Sequence, residues 1–177
     1  MKKILIGIGI FLAILVIGFA ALKTYTKSHS PSAVAKYSKN GLEISVEYCQ
    51  PSKKGRNIFG GLLPYGELWR TGANEATLIT FNKDVEIGVK KLKAGQYSIY
   101  TIPNEASWTI IFNKETGQWG TGHDETQDVV KLNVSVQKLA SEVEMFTISL
   151  DEENQAVVMN LQWDKTKVGL PLARISR

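Results

Sequence analysis

Residues 50–77 hold the densest mixture of side chains able to do chemistry in this 177-residue chain. Lys54, Arg56, Tyr65, Trp69, Arg70, Thr71, Asn74 and Glu75 fall within one stretch of 22 residues. A guanidinium presents a planar fork of donors that matches a carboxylate or phosphate, so Arg56 and Arg70 are candidates to grip an anion. Asn74 and Glu75 are candidates to hydrogen-bond hydroxyl groups. Tyr65, Trp69 and, further on, Trp119 offer apolar faces. Together they describe a polar pocket for a small anionic or sugar-like ligand. A bland reading competes with it. Arg70 and Glu75 form an ion pair that orients a loop, and Trp69 is core.

Catalysis is less well supported. A nucleophile needs a base beside it, and the body of the chain has one histidine, His123, within Gly120-Thr121-Gly122-His123-Asp124-Glu125. Glu75 with Asp128 or Asp124 would give a carboxylate pair suited to glycoside chemistry. These residues define the alternative, a hydrolase acting on envelope glycans or esters. A third alternative is a structural envelope protein working through protein partners. The only cysteine, Cys49, excludes an intramolecular disulfide and reads as a small, half-buried strand residue. One cysteine and two histidines do not make a standard zinc cluster. Asp124, Glu125 and Asp128 lack the ligand spacing of a calcium loop. No metal and no cofactor is expected.

Stepping outward from this stretch, the residues on either side change to period two. Alternating apolar and polar side chains predict half-buried strands over 42–48, 75–81, 85–89, 96–102, 107–113, 132–136, 144–150 and 157–163. A last strand over 167–173 is demoted to an edge by Pro171. About nine short strands and no convincing helical period predict an all-β antiparallel sandwich or barrel-like domain. Between Gly55 and Gly66 four glycines and Pro64 interrupt the alternation. A connection that long inside a compact domain is often functional.

The N-terminus differs from the rest. Residues 4–22 carry no charge, and as a helix they span about 28 Å, close to the hydrocarbon thickness of a bilayer. A cleaved signal has a shorter apolar core and a small-x-small exit. The only candidate exit, Gly18-Phe19-Ala20, lies inside the apolar run. The expectation is a retained anchor, residues 1–22, with secretion after cleavage as the alternative. Residues 23–32 read as a polar tether containing a solvated His29, and 33–177 as one domain facing the periplasm or cell exterior. Charge agrees with that division. The net charge of +4 is carried by Lys2, Lys3, Lys23 and Lys27, which leaves 17 basic residues against 17 acidic ones. A neutral body has no footprint for nucleic acid, so the expected partners are the membrane and a small ligand.

The run Trp69-Arg70-Thr71-Gly72-Ala73-Asn74-Glu75-Ala76-Thr77, with Lys54-Gly55-Arg56, Ile58-Phe59-Gly60 and Pro64-Tyr65-Gly66 before it, resembles the signature of the bacterial domain-of-unknown-function family 2911. Ala94-Gly95-Gln96-Tyr97, Trp108-Thr109 and Trp119-Gly120 extend the resemblance over about residues 33–172. Cys49-Gln50, Lys93 and His123 depart from the family's usual residues. The resemblance implies an exported bacterial protein and supplies no activity.

Overall fold

The computed structural model describes residues 2–118, 122–153 and 156–175. A helix, α1 (Lys2–His29), precedes nine strands. Its apolar residues 4–19 are exposed throughout, and the helix is long and apolar enough to cross a membrane. It continues through residues 23–29, expected as a tether, because nothing there breaks a helix until Pro31. Only Ser30 and Pro31 separate it from the first strand.

The strands are β1 (Ser32–Lys39), β2 (Leu42–Cys49), β3 (Thr77–Phe81), β4 (Val85–Ile87), β5 (Lys90–Leu92), β6 (Gly95–Pro103), β7 (Ser107–Asn113), β8 (Asp128–Glu153) and β9 (Ala156–Arg174). They form one antiparallel sheet in the order β1-β2-β3-β6-β7-β8-β9-β4-β5. The all-β antiparallel expectation holds, and the sheet is not a closed barrel.

Nine strands were expected and nine are present among the described residues, but they are not the same nine. β1 was missed because two of its three inward positions, Ala33 and Ala35 beside Tyr37, are small. The signal for it lies in Asn40-Gly41, both with positive φ (52° and 72°), the two-residue turn that joins β1 to β2. The three-residue β5 was also missed. Conversely, the segments 132–136 and 144–150 are parts of one strand, β8, and 157–163 and 167–173 are parts of β9. Pro171 lies in a gap. The pairing of β9 with β8 reaches Val168, and its pairing with β4 involves Ala173 and Arg174. An imide nitrogen costs no ladder bond there.

The length of β8 explains how one sheet encloses a core. Up to Ser135 it pairs with β7; from Val136 it pairs with β9. From Lys138 to Val143 it advances five residues while β9 goes back two, from Thr166 to Asp164. Extra residues on one strand bend it and increase its twist. The second half of β8 therefore folds over the front of the sheet. Tyr48 of β2 reaches it: its hydroxyl accepts from Ile148 N (2.9 Å) and donates to Ile148 O (3.2 Å). Three strands, β3, β6 and β7, intervene between β2 and β8 in the sheet order, so this contact is made across the core. Val46, Ile79, Ile99, Ile110 and Phe112 from β2, β3, β6 and β7 meet Phe146, Ile148, Met159, Leu161 and Trp163 from the folded-over part of β8 and β9 in one buried cluster.

Candidate functional site

Residues 50–76 connect β2 to β3 and are pinned at both ends by backbone pairing. Phe146 N donates to Pro51 O (2.9 Å) and Lys53 N to Glu144 O (2.7 Å), so the start of the segment runs beside β8. At the other end Trp69 and Thr101 exchange both backbone bonds, at 2.7 and 2.8 Å. Between these pins the chain turns tightly, with Ile58 fully buried and Leu63 N bonded to Ile58 O at 2.8 Å. Gly60 has φ of +80°, and a Cβ on it would come within 2.8 Å of the Tyr65 ring. Only glycine fits there.

Trp69 is both core and floor of the site. Its indole stacks on Trp163 (5.8 Å, 22°), meets Phe146 and Trp108 edge-on, and donates from Nε1 to Gly72 O at 3.0 Å. Strand geometry at Trp69 turns its neighbour outward. Arg70 accordingly lines a cleft of about 450 Å³, shared with Arg56, Lys54, Leu62 and, from the end of α1, His29 and Ser30. Among the described residues, no carboxylate lines it. Arg56 is held in place by its own loop: Nε donates to Lys53 O (3.0 Å) and Nη2 to Ser52 O (2.6 Å). Lys53 in turn is clamped by Asp164 and Glu142, both at 2.8 Å, and these hydrogen bonds hold its ammonium above the ordinary pKa. Arg70 has no such support. Its Nε is buried and has no hydrogen-bond partner among the described residues.

The expected site residues divide into groups. Arg56, Trp69 and Arg70 come together in the cleft. Tyr65 is exposed on the loop tip, packed over Gly60. Asn74 has φ of +61° and donates to Ser30 O at 3.5 Å. Glu75 turns to the other side, into a depression of about 250 Å³ with Lys27, Ser32 and Cys49. There its Oε1 lies 3.2 Å from Lys27 Nζ, and its Oε2 accepts from Cys49 Sγ at 3.7 Å. The expected Arg70–Glu75 ion pair is thus replaced by a pair with the helix. Cys49 is buried at the end of β2. Trp119 lies outside the described residues. Sequence reasoning missed His29, Ser30 and Leu62, and only the mid-loop leucine carried any signal, as an apolar residue in a glycine-rich turn.

A second polar cluster sits on the outer face of the sheet. His123 Nε2 is 2.9 Å from Asp128 Oδ1, with side chains 9% and 12% exposed. Asn113 Nδ2 donates to the same oxygen at 2.7 Å. The Tyr100 ring packs on His123, and its hydroxyl donates to Gly122 O and accepts from Gln118 Nε2 (2.9 Å). Burial pushes the Tyr100 hydroxyl above the ordinary phenol pKa. Asp128 here orients a histidine, as in a base–acid pair. No hydroxyl or thiol is hydrogen-bonded to His123 among the described residues. Asp124 instead caps a short 3₁₀ turn, Glu125–Gln127, by accepting from Thr126 N at 2.9 Å. Hydrogen bonds from Thr126 Oγ1 (2.7 Å) and Thr126 N hold its carboxyl below the ordinary range. No group of three His, Cys, Asp or Glu is placed to share a metal among the described residues.

Comparison with known proteins finds one relationship. No curated protein and no solved structure matches the chain. The family described as "Protein of unknown function (DUF2911)" matches over residues 30–172, from the end of α1 almost to the end of β9, and the chain belongs to that family.

Proposed function

We propose that this protein is a membrane-anchored, non-catalytic binding module whose cleft takes a small anion, with its body facing the periplasm or cell exterior of a bacterium. One observation carries the reading: Arg70 brings a half-buried guanidinium, unpartnered among the described residues, into a cleft that Arg56 and Lys54 also line and no carboxylate of the described residues does. A guanidinium so placed favours a carboxylate or phosphate ligand. The hydroxyl-binding part of the original expectation has less support, because Asn74 and Glu75 do not line the cleft. Anchoring is supported by the length and exposure of α1, and the outward orientation by Lys2 and Lys3 before it. The test is a thermal-shift screen of the full chain in maltoside micelles against organic carboxylates, phosphates and sugars. A stabilising anion whose effect vanishes in Arg70→Met is the expected result; no hit across the set refutes the reading. The mass of the membrane-bound protein, with or without residues 1–20, decides whether the helix is retained.

The His123–Asp128 contact favours a second reading, an envelope hydrolase in which Asp128 orients His123 as general base. Ester or glycan hydrolysis that survives in His123→Gln would refute it.

A further inference from the structure

The cleft and the anchor meet. His29 and Ser30, the last residue of α1 and the one after it, form part of the cleft wall. Its height above the membrane therefore follows from the helix. The uncharged run of residues 4–22 fills about 28 Å of hydrocarbon, and the seven residues from Lys23 to His29 rise roughly 10 Å further. The headgroup layer on each face of a bilayer is about 5–8 Å thick. His29 thus stands at the outer rim of that layer, within the reach of an extended arginine side chain. Leu62 opens the cleft with an apolar side chain, 44% exposed, and Tyr65 and Leu68 on the same loop are 44% and 43% exposed. The body as a whole is neutral. A concentration of cations beside exposed apolar groups, at headgroup height, matches the phosphate and first carbons of a lipid rather than a freely soluble anion.

We infer that the anion held by Arg56 and Arg70 is the phosphate of a membrane phospholipid, drawn from the leaflet in which the protein's own helix is anchored. This rests on the reading of the cleft as an anion site. The lipid phosphate meets the guanidinium groups of Arg70 and Arg56, and Leu62 lies against the glycerol and upper acyl carbons. Binding ties the body down to the membrane surface and fixes its orientation around the helix.

The test uses the full chain in dodecyl maltoside, a detergent without phosphate. Three soluble probes are titrated by thermal shift: dihexanoylphosphatidylglycerol, glycerol 1-phosphate and dihexanoylglycerol. The expected result is saturable stabilisation by the phospholipid at a concentration about tenfold below that needed for glycerol 1-phosphate, as apolar burial of the Leu62 side would add. Dihexanoylglycerol gives none. Arg70→Met weakens both phosphate probes by tenfold or more, whereas Leu62→Ser weakens only the phospholipid. Equal affinity for the two phosphates overturns the lipid assignment and leaves the anion cleft standing. Phospholipid binding that survives Arg70→Met places the lipid elsewhere and overturns the inference. Failure of both phosphates to bind overturns the inference, and a carboxylate hit in the broader screen would then keep the anion cleft.

Discussion

Arg70→Met separates a residue kept for binding from one kept for the fold. Arg70 makes no hydrogen bond or ion pair among the described residues, and its Nε is shielded from solvent. Removing it breaks no hydrogen bond or ion pair among the described residues, and methionine keeps an unbranched side chain in its place. A fully buried unsatisfied donor costs about 1–3 kcal/mol. The Arg70 side chain is only half-buried, so the lower end of that range applies. The expected change in unfolding free energy is between zero and about 1 kcal/mol of stabilisation, which for a chain of this size raises Tm by at most about 2–4 °C. The same substitution removes charge-assisted hydrogen bonds to an anion, each of about 1.5–3 kcal/mol, and lowers affinity roughly 10- to 100-fold. Urea unfolding of the full chain in micelles, followed by tryptophan fluorescence, measures the first quantity; titration with glycerol 1-phosphate measures the second. Destabilisation by more than about 2 kcal/mol would refute the reasoning, because it would mean that Arg70 supports the fold.

The neighbouring Trp69→Ala should behave oppositely, costing about 3–5 kcal/mol through the cavity left among Trp163, Phe146 and Trp108, visible as a large fall in Tm. Tyr48→Phe leaves the N–H and C=O of Ile148 without the hydroxyl that satisfies both, and should cost on the order of 2–3 kcal/mol by the same denaturation assay. Asp151 is held below the ordinary carboxylate pKa by hydrogen bonds from Ser149 Oγ (2.5 Å) and Asn160 Nδ2 (2.8 Å). Its stabilisation is complete above the unfolded value of about 3.9 and is lost as pH falls through the lower folded value. Tm measured from pH 5 to pH 2 should therefore fall less steeply in Asp151→Asn than in the unaltered chain.

The parts of the fold legible in the sequence are those where one face is buried and the period is unbroken. β2 shows Leu42, Ile44, Val46 and Tyr48 inward with polar residues between them, and all four are buried. β8 was legible only in pieces. Its register shifts between Lys138 and Thr147 put extra residues into the alternation, and a pattern of period two cannot continue through a bulge. β1 was hidden by alanines whose burial is partial. The site divides in the same way. Arg56 and Arg70 were legible by type, because a guanidinium has few uses inside a glycine-rich turn. The partner of Glu75 was not, since Lys27 comes from the end of α1, far away in sequence and brought near only by the fold. His29, from the same last turn, lines the cleft and was equally hidden.

Local folding demands account for most of the segment between β2 and β3, and what they leave over is informative. Backbone pairing at Ser52 and at Trp69 fixes where the loop begins and ends. Burial of Ile58 and Trp69 fixes which side chains turn inward. With Trp69 inward, position 70 must point outward, but nothing in the pairing requires it to be arginine. A serine or threonine would meet the same backbone without bringing an unmatched charge to a half-buried position. Lys53 and Arg56, on the same segment, each have acceptors supplied by the fold, two carboxylates for the first and two carbonyls for the second. Arg70 has none among the described residues. A sequence that satisfies its cations elsewhere and leaves this one open departs from local consistency where a ligand would restore it. The missing acceptor at Arg70 is therefore the strongest reason to seek this protein's function in what it binds.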